Sequence, residues 1–428
     1  MNRIRLSLLI GLIALLSYST SLFAQEQTAD TVRINTRAVF LDALVRDHRT
    51  GLPVTDLHPE NFEVLDNGQP RAVSYFTREG QSRKPLALVL VLDLRSDGSG
   101  RYLRRTEILE AIAAEIAKLP SGDEVGVIAL DSDSPTPQRI WLTGFTGDRA
   151  QLKAALSSVP DLIQNGAHRE SASSSQNPNS NNQGRMSVSV GSSSTNQSSA
   201  QDAPADDGAR VTTIPSRNGA QVIRREMPDG TATIQRISHN GRVDVDLDDD
   251  QVGLTMTIQD IIKRASSERP NAQPAIIWIS DGIIPVIVEE RDEAEDLLLR
   301  SNTLFSSLNT DVKTTIKIFL PFVKPLTNWV GMSLYGSAQR LAKQTGGEAV
   351  SVHSPSDYGR GLSRIVGNLT ARYNLGFTLA ESEQTDGSMH QLEVRVRAQD
   401  VRGKTRRLDV TSRRGYFMPR NATETAER

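Results

Sequence analysis

Apolar residues along this chain fall into two repeating patterns, and their alternation sets out its elements. Leu86-Ala87-Leu88-Val89-Leu90-Val91-Leu92 is an unbroken apolar run closed by Asp93, as in a strand covered on both faces. Ile108, Ile112, Ile116 and Leu119 then recur on one helical stripe, which Pro120 stops. Val125–Leu130 and Arg139–Thr143 read as strands, and Asp148 opens a short helix carrying Leu152 and Leu156. Further on, the pattern predicts a helix over Thr255–Ala265, a buried strand over Ala275–Ser280 and a helix over Asp292–Leu308. It continues with a strand over Thr314–Leu320, a helix over Leu334–Gln344 stopped by Gly346 and Gly347, a strand over Glu348–Val352 and a helix over Ser356–Arg372. Strands alternating with helices predict right-handed crossovers. The fold class expected is α/β, a doubly wound, mainly parallel sheet.

The two ends follow the other pattern, alternation with a period of two. Residues 30–83 hold Val32–Val45, an Asp-His-Arg-Thr-Gly turn, and Phe62-Glu63-Val64-Leu65 before the turn Asp66-Asn67-Gly68. Residues 372–418 hold Leu375–Leu379, Gln391–Arg397 and Arg407–Val410. Each piece is too small for a good core of its own. The two are expected to pair into one β-sandwich with the α/β domain (84–163 and 252–371) inserted between them; two independent modules are the alternative. Residues 419–428 read as a tail.

Between those halves, residues 164–251 break the pattern. The tract from Asn165 to about Gln201 is Ser, Asn, Gln and Gly, as in Ser173-Ser174-Ser175-Gln176-Asn177, and buries too little to offset its ordering entropy. Residues 202–220 stay polar and loop-like. Val222–Leu247 regains alternation around the turn signals Pro228-Asp229-Gly230 and His239-Asn240-Gly241, which predicts a small exposed β-meander. At the other extreme, residues 1–24 read as an export signal. Arg3 and Arg5 precede the apolar run Leu6–Leu16, which is too short to span a ~30 Å hydrocarbon core, and Ala24 offers a cleavage site. An uncleaved anchor is the alternative. With the signal removed no transmembrane span is expected, and the destination is the periplasm, the cell surface or the medium.

Composition narrows the chemistry. The 428 residues carry 49 Lys+Arg against 51 Asp+Glu, a net charge of −2, which argues against a nucleic-acid partner. Cysteine is absent, which excludes disulfides, thiolate metal sites and thiol catalysis. The six histidines are scattered, and no HExxH, GxSxG, P-loop or dinucleotide fingerprint occurs, so no enzyme activity is expected. Asp244, Asp246, Asp248, Asp249 and Asp250 miss the EF-hand template, because Asp249 stands at the glycine position and Thr255 at the final glutamate position. They read as a solvated acidic strand end. The basic run Arg402–Arg407 reads as a hairpin tip.

Asp93 closing one apolar strand, and Ser280-Asp281-Gly282 closing another, resemble a von Willebrand factor type A domain. Several phrases, in order, are similar to the acidobacterial VWFA-related family of exported proteins: Phe62–Pro70, Phe145-Thr146-Gly147-Asp148-Arg149-Ala150, Thr345-Gly346-Gly347, Tyr373-Asn374-Leu375-Gly376-Phe377 and Arg413–Pro419. The resemblance implies a Rossmann-type domain with a metal-ion-dependent adhesion site for Mg²⁺, or Mn²⁺ or Ca²⁺. It places Asp93, Thr255 and Asp281 at ligand positions. The chain departs from the family pattern where two serines are expected, with Arg95 and Asp97 instead. Two outcomes are open: a loop in which Ser96 or Asp97 reaches an ion, or a degenerate site in which Arg95 neutralises Asp93 and Asp281. The function expected is a non-enzymatic exported protein that binds an unidentified protein partner through these strand-end loops. A metal-independent envelope scaffold is the alternative, and an enzyme with an unrecognised site the outsider.

Overall fold

In the computed structural model, the residues described are 38–78, 83–95, 99–131, 138–162, 208–215, 220–228, 232–237, 243–249, 253–310, 332–380, 383 and 386–418. The expected export signal, the Ser/Asn tract, the expected strand Thr314–Leu320 and the tail lie outside them.

A six-stranded sheet runs in the order Ala349–Val352, Leu304–Thr310, Gln273–Ser280, Leu86–Asp93, Glu124–Asp131, Gln138–Thr146. The first five strands are parallel. Leu86–Asp93 is buried at all eight positions, and its side chains divide by parity. Leu86, Leu88, Leu90 and Leu92 meet Ile108 and Ile112 of helix Thr106–Ile116, Leu152 of helix Arg149–Ser157 and Leu362 of helix Asp357–Thr370. Ala87, Val89 and Val91 meet Ile258 of helix Leu254–Glu268, Leu298 of helix Val288–Arg300 and Leu341 of helix Ser337–Thr345. Successive strand residues point to opposite faces, so an unbroken apolar run serves two cores at once.

Around this sheet the chain is antiparallel. Two four-stranded sheets interleave strands from residues 38–77 with strands from residues 373–417. One has the order Leu408–Ser412, Ala38–Asp47, Tyr373–Thr378, Tyr75–Thr77, and the other Gly415–Phe417, Met389–Val396, Phe62–Asp66, Gln69–Arg71. They share one core of Leu41, Val45, Val64, Tyr373, Phe377, Val394 and others. In Met389–Val396, Leu392 and Val394 are buried while Glu393 and Arg395 face water, the alternation read from the sequence.

The fold class expected from the sequence therefore needs correction. The chain is a mixed α/β protein, not a doubly wound, mainly parallel Rossmann-type fold. Four of the five sheets among the described residues, counting the pair Ile283–Ile287 and Met332–Tyr335 and the insert meander below, are antiparallel throughout, and the fifth has an antiparallel edge in Gln138–Thr146. At that edge the reason is connection length. A parallel crossover needs a dozen or more residues, whereas hairpin-length links, such as residues 132–137 before that edge strand, can only return the chain antiparallel.

Two local expectations also change. The helix expected over Asp292–Leu308 spans Val288–Arg300, and Leu304–Thr310 is a strand. Asn302, at φ 51°, ends the helix in a left-handed conformation, a stop that neither Gly nor Pro announces. In the insert, Arg210–Pro215 is a strand where a loop was expected. It starts a four-stranded meander with Gln221–Glu226, Ala232–Ile237 and Val243–Asp249. The meander is not simply exposed. Arg224 and Arg236 are buried, Arg224 pairing with Glu290, and Arg236 reaching Glu289 at 3.3 Å, on the first turn of helix Val288–Arg300. No helix among the described residues is long and apolar enough to cross a membrane.

Candidate functional site

Leu86–Asp93 and Gln273–Ser280 are neighbouring parallel strands, with Leu92 paired to Ile279. Their carboxyl ends therefore lie side by side, and the loops that leave them converge. Asp93 ends the first strand and Asp281 follows the second, both buried. Gly282, at φ 80°, turns the chain there, its N–H donating to Ser280 Oγ at 3.0 Å.

Arg95 joins the two acids. Its Nε donates to Asp93 Oδ1 and Oδ2 at 3.1 Å each, and its Nη2 to Asp93 Oδ2 at 2.7 Å. The same Nη2 donates to Asp281 Oδ1 at 3.0 Å. The Arg95 side chain is 22% exposed, against 6% and 10% for those of the two acids, so the cation is the most exposed of the three. The Arg95 backbone is held as well. Arg95 N–H donates to Asp93 Oδ1 at 3.2 Å, and the Arg95 carbonyl accepts from Gly100 N–H at 2.9 Å. Gly100 packs so closely on the Leu94 carbonyl that a Cβ would collide with it.

The other residues singled out in the sequence fare differently. Thr255 is buried near the start of helix Leu254–Glu268, and its hydroxyl donates to the Glu290 carbonyl at 3.0 Å rather than to the acids. Ser96 and Asp97 lie outside the described residues, as do the side chains of Asp244, Asp246, Asp248 and Asp249, together with Asp250.

Pattern reading missed an aromatic and basic group beside the pair. Arg101 stacks over the Tyr102 ring at 4.7 Å, and Tyr102 packs against Tyr358 with ring centroids 6.1 Å apart. The Tyr358 hydroxyl is buried without a hydrogen-bond partner. Burial pushes its pKa up, and Tyr102 and the charge of Asp281 push it further, against Arg101. Gly98-Ser99-Gly100-Arg101-Tyr102 is the only sequence signal of this group, because Tyr358 comes from a helix far along the chain.

An oxygen-ligated divalent ion needs lone pairs converging on one point. Between Asp93 and Asp281 that point is taken by N–H donors of a guanidinium, which has no lone pair to offer. The residues described there do not fit a metal. Among the described residues no group of three or more His, Asp or Glu is placed to hold one elsewhere. A second polar cluster lies in the β-sheets. Asp66 accepts from Arg71 at 2.7 Å and from Tyr416 Oη at 3.1 Å, and its Oδ1 lies 2.8 Å from His390 Nδ1. It ties strand Phe62–Asp66 to its neighbours.

No family model matches the chain, and no curated protein matches it. Among solved structures it is similar to the pilus adhesin SpaC from Lactobacillus rhamnosus GG in its open conformation, at 9% identity and a TM-score of 0.32. A second structure of the same adhesin gives 9% identity and 0.31. The alignments cover 86% of this chain and 48% and 49% of the adhesin, so the chain spans about half of that protein's length.

Proposed function

We propose that this chain is a non-enzymatic exported protein that binds a protein partner through the strand-end face of its six-stranded sheet. One observation carries the reading. Asp93, Arg95 and Asp281 converge at the carboxyl ends of two adjacent parallel strands, with the guanidinium partly exposed. Loops leaving such strand ends gather residues from distant parts of a chain on one face, which suits recognition. A non-enzymatic role is supported by the same geometry. Both carboxylates are engaged by Arg95, an arrangement suited to holding the loops rather than to moving a proton. Export, and kinship with the VWFA-related family, rest on the sequence phrases alone and belong to the proposal.

A second reading, a scaffold whose interaction surface lies elsewhere, is favoured by one feature: Arg95 clasps two strand ends together, which is a structural service in itself. Site-directed photocrosslinking separates the two. A benzophenone side chain at Tyr102, beside the site, is expected to yield partner adducts in the native envelope that disappear with Asp281→Ala. The same probe at Val401, on a fully exposed turn of the β-sheet part, is expected to yield none. Adducts at Val401 alone, or adducts at Tyr102 indifferent to Asp281→Ala, overturn the strand-end reading.

A further inference from the structure

We propose that Arg95 is a resident cation: it stands between Asp93 and Asp281 where the sequence resemblance implies a divalent ion, and makes this site independent of dissolved metal. The inference uses the strand-end geometry and not the partner-binding reading, so either stands without the other.

Three observations carry it. First, a single nitrogen, Arg95 Nη2, lies 2.7 Å from Asp93 Oδ2 and 3.0 Å from Asp281 Oδ1, so one charged atom serves both acids. Second, both acids are buried, at 5% and 8% exposure, and two carboxylates withdrawn from water need a counter-charge close by. Third, the arginine is built in. Its N–H is tied to Asp93, its carbonyl is held by Gly100, and Gly100 is pressed against the Leu94 carbonyl. A long surface side chain would lose rotamer freedom to reach this position, whereas here the turn delivers it two residues from its first partner.

The chemical consequence concerns permanence. A guanidinium keeps its charge at any physiological pH, and a chelator cannot remove it. An ion held by two carboxylates is lost to both. The site is therefore always loaded, and partner binding through it would not be switched by divalent ions.

The test is thermal melting of the full chain with Mg²⁺, with Mn²⁺ and with a chelator. The natural chain is expected to melt at the same temperature in all three. Arg95→Ser removes the cation and leaves a hydroxyl beside two hard carboxylates. Its melting temperature is expected to fall by several degrees and to recover with Mn²⁺, by about 5 °C at about a hundredfold excess over the dissociation constant. Calorimetry of the same variant should count one ion. Arg95→Ser combined with Asp281→Asn should lose that response. Should Arg95→Ser not fold in buffer, refolding from denaturant with and without Mn²⁺ decides, recovery only with the ion being the expected result. Metal-dependent melting of the natural chain overturns the proposal. So does an Arg95→Ser chain that no divalent ion stabilises or refolds.

Discussion

Glu348 gathers donors from opposite ends of the chain: Arg46, Asn368, and Arg364 at 3.0 Å. Burial alone would push its carboxyl pKa up, but Arg364, Asn368 and Arg46 together hold it below the usual carboxylate range. A lowered folded-state pKa gives stability that is present above the ordinary glutamate range and is lost as pH falls through the lowered value. Glu348→Gln removes the buried charge that three donors face. It should cost about 3–5 kcal/mol in urea unfolding at pH 7, and the gap to the natural chain should narrow as the medium is acidified towards pH 3. Arg95 works on the same principle with the sign reversed, one cation answering two buried anions. Asp93 and Asp281 were legible as strand-end acids in the sequence. The direction in which Arg95 points was not, because it depends on a turn held by Gly100 and on an acid that arrives 186 residues later. Tyr358 gave no signal at all, since a tyrosine on an apolar helix stripe looks like any core residue.

The docking of the insert meander is a property of two elements, a pair of strands and a helix turn. Arg224 shares a strand face with buried Val222, and Arg236 with buried Ile234, although a charged residue on so short a strand reads as solvent-facing. Instead both arginines are buried against Glu289, Glu290 and Glu293 of helix Val288–Arg300. Three carboxylates then face two guanidinium groups. Glu293 Oε2 makes no hydrogen bond, and burial, with Asp296 adding to it and Arg224 opposing, pushes the Glu293 carboxyl up. A raised folded-state pKa favours the docked form at low pH, a contribution lost as pH rises through the raised value. Amide exchange across Gln221–Ile237, corrected for intrinsic rates, should therefore be slower at pH 5 than at pH 7.5. Glu293→Gln should reduce the difference, the remainder belonging to the neighbouring Glu290, whose carboxyl burial also pushes up. The same blindness of local patterns hid strand Leu304–Thr310. Ser306, Ser307, Asn309 and Thr310 are buried within it, and a polar residue is affordable there only because of distant partners, such as Glu348 N–H donating to Ser306 Oγ at 3.2 Å. Leu86–Asp93 was legible for the opposite reason, since an all-apolar strand carries its whole explanation in its own residues.

At the scale of the molecule, the β-sheets and the six-stranded sheet are joined by charged side chains. Arg46 meets Glu348, and Arg372 Nη2 donates to the Gly346 carbonyl at 2.6 Å, while Arg413 donates to the Phe40 carbonyl within the β-sheets. Burial raises the Asp42 carboxyl against the pull of Arg372, Arg413 and Lys84, and lowers the Arg413 guanidinium to about 10 against the pull of Asp42 and Tyr416. Such a junction should make the parts unfold as one. Leu41 lies in the β-core, far along the chain from the buried Trp278. Leu41→Ala should cost about 2–5 kcal/mol, and tryptophan fluorescence and far-UV circular dichroism should shift together in one transition. Two separated transitions would show instead that the junction does not couple them. The interleaving of the ends has a further consequence, in time rather than in energy. Strand Ala38–Asp47 pairs on one side with Tyr373–Thr378 and on the other with Leu408–Ser412. On the ribosome it emerges among the first described residues and waits for more than 300 others before either neighbour exists. Through that interval its apolar edge is open to any passing strand, so the newborn chain depends on a guardian until its last strands arrive.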